Sequence, residues 1–277
     1  MKTLGKVVTK TMMYSIMLFI VLFSVFPVLW VIFSSFKTNG QILAGPFVMP
    51  SSIDFSAYRY LFEKFNFMTY FYNSLFVSIV PSVASLMIYA MAAYVIAKYE
   101  FPGKHLFFTL FTITILVPTH ARIGALFSLI MRLGLYDTKA GLALVYMSFG
   151  MALSMFILKG TFQSIPKELN EAAIVDGAGF FRIFWSVNLP LARNGLVTAG
   201  VLMFLTNWNE FYYALLLTAS QANRTLPIIT TLFNTQFSYD YQKTFAALAL
   251  LILPGIIIYA VAQEQVQASL ASGAVKG

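Results

Sequence analysis

The chain has no cysteine and only two histidines, His105 and His120. The first absence excludes disulfide frameworks, thiolate zinc sites, cluster ligation and cysteine catalysis. Two histidines are too few for a histidine-rich metal site, so no metal is expected. Charge is scarce as well. Asp, Glu, Lys and Arg are 10% of the 277 residues, against about 25% in a soluble domain. Phosphate-loop and metalloprotease motifs are missing too. The Gly-Lys pairs Gly5-Lys6 and Gly103-Lys104 lack the upstream glycine of a phosphate loop, and no His-Glu-x-x-His occurs. An enzyme is not expected, and any energy from ATP has to come from another polypeptide.

What the chain does have is apolar surface. Hydrophobic residues are 59%, aromatics 17% and the mean hydropathy is +0.78. Too little polar surface remains to cover a water-soluble globule, and disorder is excluded by the same numbers. Stretches free of Asp, Glu, Lys and Arg run over 11–36, 65–97, 140–158 and 244–263, while 105–131 holds only Arg122 and 194–223 only Glu210. About 20 apolar residues cross a bilayer, and continuous apolar runs cross it as helices rather than barrel strands. The expected fold is an all-α integral membrane protein of six transmembrane helices. The first run is too long for a signal peptide and no small-residue cleavage site follows it.

Net charge is +8. In this composition the excess is read as Lys and Arg retained at the cytoplasmic ends of spans, with the bilayer and not nucleic acid as partner. Lys/Arg in the connecting segments divide ten to seven in favour of the side that holds Lys2, Lys6 and Lys10. Both termini are therefore expected in the cytoplasm. Pro27, Pro81, Pro118 and Pro254 lie within spans. Each removes a backbone bond and tends to kink its helix; this is either the general tolerance of membrane helices for proline or a set of gating bends. Tyr58 to Phe65 reads as a short amphipathic helix at the outer interface.

The connection 160–195 is too long for a turn and too apolar for a disordered linker. Ser164 is expected to cap a helix with Pro166 in its early turn and an end near Asp176. Gly177 follows as the residue where a left-handed conformation is cheap. A second helix is expected from about Gly179 to near Pro190. The result is a cytoplasmic helix–turn–helix whose corner is made of small residues, with Phe180, Phe181, Ile183, Phe184 and Val187 as an apolar flank.

Here the chain resembles a family. Glu171-Ala172-Ala173, Gly177, Val187 and Leu189-Pro190 match the EAA loop of permease subunits of binding-protein-dependent ABC importers, with Val187 where isoleucine is usual. Trp208-Asn209-Glu210-Phe211 with Ala214-Leu215 is similar to the fifth-helix signature of the maltose-type, sugar-importing branch. Tyr72-Asn73-Ser74-Leu75 resembles the start of the family's core, and the tail Gly273-Ala274-Val275-Lys276-Gly277 resembles the terminus of the second permease in such systems. The resemblance implies one transmembrane permease domain over 1–277, with a core at about 70–263 and a coupling loop at 160–195. It implies that Glu171, Ala172, Ala173, Asp176, Gly177 and Ala178 contact an ATP-hydrolysing subunit. It further implies a heterodimer with a second permease, two ATP-binding subunits that hold ATP and Mg, and an extracytoplasmic solute-binding protein that delivers sugar. The setting would be a bacterial cytoplasmic membrane, and this chain would hold no cofactor.

Asn207, Trp208, Asn209 and Glu210 are the substrate-path candidates: amides suit sugar hydroxyls and an aromatic face suits a sugar ring. The same residues serve equally as interhelical glue. His120, Arg122 and Glu210 lie at membrane depth and are functional candidates by position, although an Arg122–Glu210 pair would be a purely structural answer. The function expected is one half of an alternating-access path for a sugar, an oligosaccharide. Polyamine or phosphate import is the alternative within the family. A self-sufficient secondary transporter or channel is the alternative outside it, and it would need intramembrane carboxylates where only Glu210 is available.

Overall fold

The computed structural model describes residues 2–50, 52–233 and 239–274. These are almost wholly helical, with no β-strand among them. In chain order the α-helices are α1 (Lys2–Ser34), α2 (Asn39–Ala44), α3 (Ser56–Glu63), α4 (Phe67–Lys98), α5 (Lys104–Thr112), α6 (Ile123–Arg132), α7 (Lys139–Tyr146), α8 (Met151–Ser164), α9 (Lys167–Val175), α10 (Phe180–Ile183), α11 (Leu189–Leu191), α12 (Arg193–Trp208), α13 (Tyr212–Leu217), α14 (Ile229–Leu232) and α15 (Tyr241–Ala274). Of the tail resemblance, Gly273 and Ala274 close α15, and residues 275–277 lie outside the described residues.

Among the described residues three helices are long and apolar enough to cross a bilayer unbroken: Thr9–Ser34, Phe67–Lys98 and Tyr241–Ala268. Three more crossings are available as bent pairs, which makes six if each pair is one span. The apolar run 105–131 is not one straight helix. It bends by 100° between Lys104–Leu116 and Thr119–Arg132. At the break Val117 is extended at ψ 112°, the conformation that the ring of a following proline favours. The run 194–223 is also displaced. α12 ends at Trp208 and pairs backwards with 180–191 across a 77° bend, while Asn209, Glu210 and Phe211 separate it from α13. α7 and α8 meet at 53°, through Gly150 at φ +72°. Of the four prolines expected to kink spans, only Pro118 sits at a break; Pro27, Pro81 and Pro254 lie inside continuous helices.

The chain forms two compact units, residues 1–67 with 229–253 and residues 68–228 with 254–277. In the first, α2 is a short helix. Thr38 and Gln41 close a capping box around its start. α3 is the expected amphipathic helix, with Ala57 and Leu61 buried. It is tied to the end of α1 by a Ser35 Oγ–Tyr58 Oη bond of 2.6 Å.

The second unit carries the larger core, built from Tyr89, Ala90, Ala93 and Tyr94 of α4 against Met155, Leu158 and Phe162 of α8 and Ala199 and Met203 of α12. Small residues let these backbones approach. A Cβ on Gly195 of α12 would collide with the Thr161 side chain of α8. One face of α4 is a row of buried serines, Ser74, Ser78, Ser82 and Ser85. Ser85 and Tyr89 both donate to the Met147 carbonyl, at 2.9 and 2.6 Å, which satisfies it where α7 gives way to α8.

Candidate functional site: the loop between α8 and α12 and the path beside it

The loop starts differently from its sequence-based expectation. Ser164 does not cap α9; its hydroxyl donates to the Thr161 carbonyl at 2.8 Å and closes α8 instead. Pro166 precedes α9 without a side-chain cap. The end of α9 is as expected. Gly177 stands at φ +78°, its N–H donates to Ile174 O at 3.0 Å and the N–H of Ala178 donates to Ala173 O at 2.9 Å. That pair of bonds is the Schellman arrangement, which only glycine enters without strain.

The second arm is α10, a π-helical turn over Phe184–Asn188, and α11. Single π-turns are uncommon and gather at functional positions. This one places Asn188, fully buried, so that its Nδ2 donates to Asn170 Oδ1 of α9 at 2.8 Å and to the Ile183 carbonyl at 3.2 Å. The two arms are thus clamped together side chain to side chain. Below the clamp, Phe180 and Phe184 pack on Tyr94 of α4, with ring centroids 5.7 and 5.1 Å away, and Phe162 of α8 completes the cluster at 5.6 Å from Tyr94. Lys98, at the end of α4, donates to the Ile165 carbonyl at 2.6 Å. Asn170, Asn188 and Tyr94 were not singled out from the sequence. No local pattern marks the pair: Asn170 lies between Leu169 and Glu171 in a charged stretch, and its bond to Asn188 is made across the turn.

Glu171, Ala172, Asp176 and Gly177 are exposed, and Ala173 and Ala178 are half-buried. With them the corner presents two large apolar side chains to solvent, Ile174 and Val175, the latter 87% exposed. No heavy atom lies within 4 Å of the place where a Cβ on Gly177 would sit. The corner is a rigid, uncovered knob standing on an aromatic base.

The four path candidates do not converge on one surface. Asn207 and Trp208 are buried inside the second unit. Asn207 Nδ2 donates to Ser82 Oγ of α4 at 2.9 Å, and its Oδ1 has no partner. Trp208 stacks on Phe204 and meets Phe71 edge-on. Asn209 is exposed, with its amide donating back to the Leu205 carbonyl. Glu210 does not pair with Arg122. Its Oε1 accepts the N–H of Tyr213 and its Oε2 accepts the N–H of Ala214 and the hydroxyl of Tyr146, at 2.8, 3.0 and 2.8 Å. A carboxylate at the start of a helix finds free N–H donors there, so Glu210 organises α13. His120 is exposed, with its ring edge-on to Tyr212.

A second built feature lies in the loop after α13. Asn73 donates to the Ala222 and Arg224 carbonyls at 2.8 and 2.9 Å, and Ser74 Oγ accepts the N–H of Leu226 at 2.7 Å. From the other side Asp137, itself left-handed at φ +54°, accepts from the N–H of Ala219, and from the N–H and hydroxyl of Ser220. Partial burial raises the Asp137 pKa, but these bonds and one from Asn223 outweigh it and hold the carboxyl below the usual range. The Tyr72-Asn73-Ser74-Leu75 motif therefore serves to fasten this loop.

Residues 90–272 match the family described as the binding-protein-dependent transport system inner membrane component. The trehalose transport system permease protein SugB of Mycobacterium tuberculosis is 35% identical over 257 residues, covering 92% of this chain and 93% of its own. The diacetylchitobiose uptake system permease protein NgcG of Streptomyces coelicolor is 34% identical over 249 residues, covering 89% and 82%. In fold, the chain is similar to a crystal structure of a bacterial ABC transporter involved in the import of the acidic polysaccharide alginate, with TM-score 0.80, 24% identity and coverage of 94% of this chain and 97% of that one. The chain belongs to the inner membrane components of binding-protein-dependent transport systems, and is an integral membrane transport subunit and not an enzyme.

Proposed function

We propose that the chain is a permease subunit of an ATP-driven sugar importer and forms half of the translocation pathway as a single permease domain. Its substrate is an oligosaccharide. It pairs with a second permease, and two ATP-binding subunits dock on the cytoplasmic side with ATP and Mg held in them. A solute-binding protein delivers sugar from outside. Both termini lie in the cytoplasm of a bacterial cell. The observation that carries this reading is the uncovered corner at Glu171–Ala178, clamped by Asn170 and Asn188 and seated on Tyr94 of a membrane helix. A push on such a corner moves α4 and α8 with it, because packed elements shift as units. The sugar assignment is supported by the trehalose and diacetylchitobiose names of the relatives.

The test is uptake by the complete transporter in proteoliposomes, with binding protein outside and ATP supplied to the ATPase face. Radiolabelled trehalose, maltose, cellobiose and chito-oligosaccharides are offered beside spermidine and phosphate. Sugar uptake that needs both ATP and the binding protein is the expected result. Uptake of spermidine or phosphate alone would move the chain to another branch.

A further inference from the structure

Two interruptions of apolar helices in the second unit open on one cavity. The first is the Val117-Pro118 break, and the second is the passage from α7 to α8 at residues 147–150. Thr114, Val117 and Thr119 from the first, Ser148 and Gly150 from the second, and Arg122 line a cavity of about 190 Å³. Irregular backbone at membrane depth is tolerated where it is covered by protein or lines a water-filled space, and transporters place solute sites at such broken helices.

Arg122 is the one charged residue lining this cavity. Its Nε is buried without an acceptor. Among the described residues the ion pairs are Lys104–Glu100 and Lys243–Asp240, so none involves Arg122. Glu210, the carboxylate that could have balanced it, is committed to Tyr146, Tyr213 and Ala214. Its guanidinium carbon lies 5.9 Å from the centre of the Phe149 ring, which offsets only part of the cost of a cation without a carboxylate partner within an apolar span. A neutral hydroxyl offers it a hydrogen bond but no charge, whereas a carboxylate or phosphate offers both to a planar guanidinium fork. The neighbouring hydroxyls suit the rest of a sugar. Thr114 and Ser148 give their protons to Phe111 O and Val145 O, leaving oxygen lone pairs towards incoming hydroxyl donors.

We infer that Arg122 is an anion-binding residue of the translocation path, and that the sugar carried bears a carboxylate or phosphate-type group. This rests on the sugar-permease reading above and narrows its substrate class. The test uses the complete transporter in proteoliposomes and matched pairs: maltose, cellobiose and trehalose, each against its uronic acid and its 6-phosphate. The acidic member of a pair is expected to be carried faster, and the uronic and phosphate arms tell which oxyanion is read. Arg122→Gln should lower the acidic-to-neutral rate ratio at least tenfold, and Arg122→Lys should keep most of it. Preference for the neutral members, or equal slowing of both by Arg122→Gln, overturns the anion assignment and leaves sugar import standing. So does loss of the partner permease from Arg122→Gln on co-purification, which would mark the arginine as an interface residue. A complex that carries none of these sugars overturns sugar import itself.

Discussion

Substitutions at Gly177 separate the cost of a strained backbone from the cost of a blocked interface. The residue sits at φ +78°, and a Cβ there meets no atom of this chain within 4 Å. Gly177→Ala therefore meets only the left-handed penalty, about 1 kcal/mol. Asparagine enters that region more readily than alanine, so Gly177→Asn relieves much of the strain while adding volume. Leucine adds both. If an ATPase subunit packs on the corner, added volume costs about a further 1–3 kcal/mol, which is about a 5- to 150-fold loss in association. The assay is retention of ATPase subunits on the tagged chain, read beside sugar uptake and membrane insertion. Docking on the corner predicts that retention falls in the order Gly, Ala, Asn, Leu, by size, with insertion unchanged in all. A purely local backbone role predicts the order Gly, Asn, Ala, Leu instead. Full retention and full uptake in Gly177→Leu would refute the coupling assignment, and with it the strongest structural support for an ATP-driven importer.

Asn188→Ala removes the donor to Asn170 and leaves that amide without its partner, a loss of about 1–3 kcal/mol. Backbone amides of α9 should exchange hydrogen faster while those of α4 do not, and ATP hydrolysis should continue with weaker uptake. Glu210→Gln keeps one oxygen but sets an NH2 against one of the two backbone donors, Tyr213 or Ala214, so α13 should open by a similar amount, read as faster proteolysis between 209 and 218. Asp137, with its carboxyl held below the usual range, stabilises the 219–226 loop at pH values above the unfolded carboxyl value of about 3.9, and that contribution is lost as pH falls through the lower native value. Backbone amides of 219–226 should therefore exchange hydrogen faster, relative to an unstructured peptide at the same pH, once the pH falls through that value, and Asp137→Asn should flatten that dependence. For orientation, with no native cysteine to interfere, cysteines at Ser52 and Ala222 should react with an impermeant reagent from outside and those at Lys104 and Lys167 should not; the reverse pattern would sink the assigned topology.

How much of this was readable beforehand varies with the range of the physics involved. The left-handed turn at Gly177 was legible because it depends on one residue's lack of a Cβ. The two-armed loop was legible because its apolar flank and small-residue corner lie close in sequence. The break at Pro118 was only half legible. Proline was seen in four spans, but three of them stay helical, and no local signal separates Pro118 from Pro81. What differs is that α5 gives way to a tighter turn before Pro118, which depends on tertiary surroundings. The bonds of Glu210 were illegible for a similar reason. A lone carboxylate in an apolar run looks like an ion-pair partner or a ligand. That it satisfies two backbone donors required knowing that α12 stops at Trp208. The Asn170–Asn188 clamp was invisible because it joins two helices across a turn, and buried amides carry no periodic signature.

The positions of Glu210 and Arg122 together bear on how a permease with so few charges handles its solute. Had the two paired, the charge in this part of the molecule would have cancelled, leaving a path lined by amides and hydroxyls alone. Instead the carboxylate is spent on α13, and Tyr213 of the same helix donates to the Thr119 carbonyl at 2.7 Å, three residues from Arg122. The acid therefore fixes the backbone next to the arginine while leaving it, among the described residues, without a carboxylate partner. Loosening α13 should then disturb Arg122 as well. Glu210→Gln combined with Arg122→Gln should impair acidic-sugar uptake by less than the product of the two single effects, because both would act on one structural unit. Independent, multiplicative effects would separate the two residues and leave Glu210 with α13 alone.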